Sequence, residues 1–178
     1  MQIPGLGEVT SCADIEGSYQ SEPIAVPVLG GKFCRVIVEE YEDDSNRAEF
    51  HTAIANFLSI GPEVLRAVEK DIFQYYKDMF DILEPDPDDD FVIIETPADV
   101  WKHIGFGDCP VVSRRPYRDK AIFVSLECEC AWEEEHGLQI VFRNGLKVNK
   151  IGPFDGHLTN ADAYADDTRE DLVYLSLS

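Results

Sequence analysis

The order of hydrophobic patterns along the 178-residue chain predicts an α+β fold, an antiparallel sheet with helices packed mainly on one face. Three observations carry that expectation. Text of two-residue period comes first, text of helical period follows, and the two-residue period then returns. The stretch from Ala121 to Trp132 alternates cleanly along its length. Asn144-Gly145 sits between two apolar runs, the strongest short-range signal for a type I′ hairpin. A doubly wound parallel sheet would need strands and helices to alternate, and they do not.

Each element follows from local chemistry. From Pro23 to Tyr41 the text is β-branched and punctuated by Gly30-Gly31. This predicts two strands, Ile24 to Leu29 and Phe33 to Glu40, joined as a hairpin. Phe50, Ala53, Ile54, Phe57 and Leu58 then recur at helical spacing. Pro62 suits a first helical position, where its missing N–H is harmless. Val64, Leu65, Val68, Ile72, Tyr75, Tyr76, Met79 and Leu83 form the core-facing stripe of one long amphipathic helix. The run from Glu84 to Asp90 ends it, because its prolines forbid continuation and its carboxylates repel. Phe91 to Ile94 reads as a short extended segment. Thr96, Pro97 and Asp99 stand in the order of a helix start, with a brief helix from Pro97 to Ile104 that brings Trp101 inward. Beyond Gly105 the chain turns to β. Ile122, Val124, Leu126, Cys128, Cys130 and Trp132 share one strand face, and Phe123, Ser125, Glu127, Glu129 and Ala131 take the other. Leu138 to Arg143 and Leu146 to Ile151 flank the hairpin turn, and Leu172 to Leu177 is expected to close the sheet.

Composition bounds the function. The length suits one domain over 1–178. Apolar residues at 44% allow a packed core and exclude disorder. Thirty-five acidic against fifteen basic residues leave a net charge of −20. Such a field repels phosphate backbones and anionic membranes, so neither nucleic acid nor a membrane surface is an expected partner. The first residues carry no basic segment and no apolar run, so no signal peptide is expected. With that start, the odd count of five cysteines points to reduced thiols and a cytoplasmic protein.

Candidate chemistry is sparse. Cys128, Cys130 and His136 offer three zinc-ligand types, but a structural knuckle wants C-x₂₋₄-C with a second pair elsewhere, and no second tight pair exists. Buried cysteines acting as small hydrophobes are the simpler reading. Cys109 lies in the glycine-bearing turn Gly105-Phe106-Gly107-Asp108-Cys109-Pro110, without a nucleophile elbow or oxyanion loop. The aspartates from Asp86 to Asp90 lack the alternation of a calcium loop. There is no phosphate-binding glycine motif. Neither a metal nor a cofactor is therefore expected. Glu133-Glu134-Glu135-His136 is the most unusual local feature, and its simplest reading is a polar hairpin loop.

That loop carries a resemblance. The stretch from Cys128 to Gly145, with Cys130-Ala131-Trp132-Glu133-Glu134-Glu135-His136-Gly137-Leu138 at its centre, resembles a family of uncharacterised bacterial domains marked by a Cys-x-Trp-x-x-Glu-His-Gly-Leu block followed by a hairpin turn. The likeness continues through Val148 to Gly156, and more weakly to Trp101, Tyr75-Tyr76 and Pro4-Gly5-Leu6-Gly7. Such domains are suspected of being immunity proteins. The resemblance thus implies a binding protein that neutralises a bacterial toxin domain, with no catalytic residue to carry over. A strongly acidic inhibitor suits a basic, nuclease-like toxin, because complementary charge speeds encounter. The expected contact residues are Glu133, Glu134 and Glu135 in the loop, with Asp88, Asp89 and Asp90 as a second acidic cluster. Two alternatives stay open. One is a small hydrolase using His136 with a carboxylate or cysteine; the other is an acidic adaptor or nucleic-acid mimic.

Overall fold

A computed structural model describes residues 1–13, 15–86 and 90–176. Six short strands come first: β1 (Gln2–Ile3), β2 (Gly7–Ser11), β3 (Ser18–Ser21), β4 (Ile24–Val26), β5 (Lys32–Cys34) and β6 (Ile37–Glu39). Three helices follow, α1 (Arg47–Phe57), α2 (Glu63–Arg66) and α3 (Glu69–Leu83). The chain then returns to β with β7 (Ile104–Phe106), β8 (Val111–Arg114), β9 (Ile122–Cys130), β10 (Leu138–Arg143) and β11 (Lys147–Gly152), before the single-turn α4 (Asn160–Ala163). The content is mixed, and the main sheet is large and mostly antiparallel. Its order is β1-β2-β3-β6-β8-β9-β10-β11, and β7 pairs with β9 as well. The β6–β8 pair is parallel. The expected hairpin at Gly30-Gly31 forms only in part: β4 and β5 make a separate two-stranded sheet, Pro27–Leu29 is a 3-10 helix, and the expected strand from Phe33 to Glu40 breaks so that β6 joins the main sheet. No helix among the described residues is long and apolar enough to cross a membrane.

The strand at the centre follows its alternation. Ile122, Val124, Leu126, Cys128 and Cys130 of β9 are all buried. Leu138, Ile140 and Phe142 of β10 stand opposite Cys128, Leu126 and Val124, so both strands present one apolar face. The helices α1 to α3 contact several strands of the sheet. α1 contacts β8 and β9, whereas α2 and α3 contact β11. Phe57 meets Phe142 edge-on at 5.3 Å between ring centres, and Tyr75 meets Trp132 at 6.0 Å. The Asn144-Gly145 turn has the left-handed geometry of its type, with φ of 51° and 67°. Glycine is required there for a second reason: a Cβ would lie 2.1 Å from the Ala53 carbonyl oxygen of α1.

Several elements differ from the sequence expectation. The single long helix is two, because Val68 leaves helical geometry (φ −112°, ψ 9°) and starts α3 afresh. Thr96 does precede a helical segment, but it is a 3-10 helix over Pro97–His103, and the Thr96 hydroxyl donates to the Asp99 carboxylate rather than capping a backbone N–H. The supposed turn at Gly105 is strand β7. The C-terminal strand does not form among the described residues, and Leu177 lies outside them. Val173 accepts one bond from the Ile151 N–H at 2.7 Å. Tyr174 then leaves the sheet edge, and its hydroxyl donates to the buried Asp78 at 2.8 Å.

Candidate functional site

The outer face of the sheet divides into two halves. On β9 its positions are Phe123, Ser125, Glu127 and Glu129, and on β10 they are Gln139, Val141 and Arg143. Phe123 and Val141 are fully buried although they lie on the strand face opposite Val124, Leu126 and Ile140. Their cover is the segment after β11. Lys150, level with Val141, donates to Asp155 and Gln139 at 2.7 Å each. Arg143 donates to Glu170 at 2.9 Å. Arg115, just beyond β8, is 0% exposed and binds Asp162 through two bonds of 2.7 Å. It also binds Glu170 at 2.8 and 2.9 Å and Thr159 at 3.0 Å. Such a fork satisfies a planar guanidinium and ties the segment down.

The other half stays open. Glu127 and Glu129 are exposed, and the space over them is a groove of about 1210 Å³. Two glycines, Gly105 in β7 and Gly107 just beyond it, make that room. At Gly107 a Cβ would lie 2.3 Å from the Glu127 carbonyl oxygen, so only glycine permits the strands to approach. At Gly105, paired with Glu129, a Cβ would be 3.5 Å from Glu129 Oε2, which therefore extends over β7. Asp108 and the loop carrying Glu133, Glu134 and Glu135 complete an acidic lining, against Lys32 and Lys102. Lys102 is itself paired with Asp99 at 2.6 Å.

The loop residues have different roles. Glu133 turns inward: its carboxylate accepts the backbone N–H of His136 at 2.7 Å and of Glu135 at 3.1 Å, and its side chain is 10% exposed. Glu134 and Glu135 are exposed at the groove. Asp90 is exposed and lines a smaller cavity of about 500 Å³ on the far side of the same loop, with Met79, Phe91 and Trp132. Asp88 and Asp89 lie outside the described residues.

The donor types weighed for metal or nucleophilic chemistry separate. Burial pushes the Cys128 and Cys130 thiols up to about 12, away from the thiolate that ligation or attack requires. Burial likewise raises the Cys109 thiol, and the neighbouring Asp108 carboxylate adds to it. The groups that converge are instead Glu133, Glu135 and His136, whose ligand atoms lie within 4.8 Å of one another. Two backbone N–H groups already occupy the Glu133 oxygens, leaving less capacity for an ion.

Glu127, Glu129, Gly105 and Gly107 were not singled out as functional from the sequence. The signal was present in two places. Acids alternate with buried cysteines along β9, and two glycines stand two residues apart where a neighbouring strand runs.

No curated protein and no solved structure matches the chain. A family profile does match, over residues 5–158, a span that runs from the first turn to beyond β11 and takes in the whole groove. The chain belongs to the family described as "Domain of unknown function (DUF6985)".

Proposed function

We propose that this protein is an acidic binding protein that neutralises a basic bacterial toxin domain by occupying it, without catalysis. The observation that carries the reading is the open half of the sheet's outer face. There a groove of about 1210 Å³ gathers the carboxylates of Glu127, Glu129, Glu134 and Glu135 on a chain whose net charge is −20. The groove exceeds the ~300–1,000 Å³ of most small-molecule pockets. Its acids sit on a sheet face and a hydrogen-bonded loop, so little ordering entropy is lost when a partner docks. The same field disfavours nucleic acid and anionic lipid as ligands. The raised thiols of Cys109, Cys128 and Cys130 weigh against the cysteine version of the hydrolase alternative.

The test uses the product of the reading frame next to this gene. Purified protein and that product are mixed, and association is followed at low and at physiological salt. The expected result is a complex whose association rate falls with salt, from as high as ~10⁸–10⁹ M⁻¹s⁻¹ at low ionic strength. Growth protection on co-expression should follow. A wild-type protein that neither binds nor protects would sink the reading.

A further inference from the structure

β7 presents an edge as well as a face. In an antiparallel pair, alternate residues turn their N–H and C=O groups toward the partner strand, and the others turn theirs away. Gly107 N–H donates to Glu127 O, and Ala131 N–H donates to His103 O, both at 3.0 Å. His103, Gly105 and Gly107 therefore face β9, and Ile104 and Phe106 face outward. On that outward side Phe106 O accepts a bond from Lys32 Nζ. The Ile104 N–H closes the last turn of the Pro97–His103 helix, whereas the Ile104 C=O and the Phe106 N–H take no part in the ladder with β9. Ile104 and Phe106 both line the acidic groove, and the Glu129 carboxylate lies over Gly105 between them.

Resting on the reading of this groove as the site for a basic partner, we infer how the partner enters it: an extended, basic segment adds to the sheet as a strand along β7. Ladder bonds to Ile104 and Phe106 supply orientation, and alternate side chains supply specificity. The face above Gly105 is lined by Glu129, so the alternate side chains on that face are Lys or Arg. Lys32 is then a movable cap. It protects one carbonyl of a free edge, as charged residues commonly do, and it withdraws when the strand arrives.

The probe is a capped ten-residue peptide alternating lysine and threonine, with a glutamate–threonine peptide as control. Two further versions carry N-methyl groups, on the lysines only or on the threonines only. The lysine peptide should bind and the glutamate peptide should not. One N-methyl set should weaken binding about tenfold or more and the other should leave it nearly unchanged, since each lost ladder bond is worth about a factor of ten. Loss with methylated threonines means an antiparallel strand; loss with methylated lysines means a parallel one. Amide exchange at Phe106 should slow on binding. Gly105→Val, whose Cβ has room, should keep the fold by circular dichroism and weaken the peptide. Lys32→Ala should tighten it several-fold, because it frees Phe106 O and removes a repelling charge. Equal effects of the two N-methyl sets, with unchanged exchange at Phe106, would overturn strand addition while leaving the basic-partner reading intact. Failure of the lysine peptide beside a wild-type protein that still captures its basic partner also rejects strand addition. Failure of both rejects the reading beneath it.

Discussion

One strand face of β9 meets two opposite fates. Toward its start, Phe123 points outward and is buried beneath the segment that Arg115, Arg143 and Lys150 hold in place. Toward its end, Glu127 and Glu129 take equivalent positions and remain exposed. The difference lies in what each half can satisfy. In the covered half each buried cation has its carboxylates within hydrogen-bond reach, and Phe123 and Val141 supply apolar area beneath them. The open half has carboxylates and too few cations, so closing it with the protein's own chain would leave buried charge unpaired, which costs several kcal/mol. On the proposed reading, that excess negative charge is what a cation-bearing partner would complement.

The strongest way to break this contrast is to remove the cation from the covered half. Arg115→Ala takes the buried cation from Asp162, whose side chain is 4% exposed, and from Glu170, leaving them only the more exposed Arg118 and Arg143. Breaking such a pair should cost about 3–5 kcal/mol, read as a drop in the urea midpoint. Glu129→Gln in the open half should shift stability by no more than about 0.5 kcal/mol. Equal losses from the two variants would mean that the halves are not different in kind.

Acid should act on the covered half next. Burial alone would raise the Asp162 carboxyl, but the hydrogen bonds and charge of Arg115 outweigh it and hold the group below its ordinary 3.8. The Arg115 hydrogen bond, with the charge of the same guanidinium, holds Glu170 below its ordinary 4.5. Carboxylates depressed in the folded state bind fewer protons there than in the unfolded chain. Their stabilisation is present above the unfolded values and is lost as pH falls through the folded ones. The urea midpoint should therefore fall as pH drops from about 5 toward 2. Glu170→Gln should flatten that limb, and Glu129→Gln should leave it unchanged.

How much of this was legible follows from period and length. β9, the β10–β11 hairpin and the helix stripes repeat their pattern often enough to be read from the text. β1, β2 and β3 do not: Gly7–Ser11 and Ser18–Ser21 are short and largely polar, and what makes them strands is pairing with distant chain. β7 is hidden by its glycine and its three-residue length. The cover over the outer face had a local clue, since Phe123 and Val141 are apolar on what a half-exposed sheet would leave polar. Arg115 offered none. Asp119 stands four residues on, but the carboxylates that bind both sides of the fork are 47 and 55 residues away, and no spacing rule reaches that far. The acidic loop was found as chemistry, but the inward turn of Glu133 depends on backbone geometry that composition does not carry.

That inward turn yields the finest of the contrasts, inside the loop itself. Glu133 holds the backbone N–H groups of Glu135 and His136, so Glu133→Gln should cost about 1–2 kcal/mol, because bonds to a charged acceptor are lost or weakened. Glu134→Gln and Glu135→Gln touch no such bond and should stay within about 0.5 kcal/mol of the wild type. Partner binding should show the reverse order. Neutralising Glu134 and Glu135 together should slow association and flatten its salt dependence, with dissociation little changed, as expected of charges at a rim. Glu133→Gln should affect binding only as far as the loop loosens, which amide exchange at Glu135 and His136 reports independently. A Glu133→Gln protein of wild-type stability and slowed association would place that carboxylate at the partner instead, and the loop would then present all three acids.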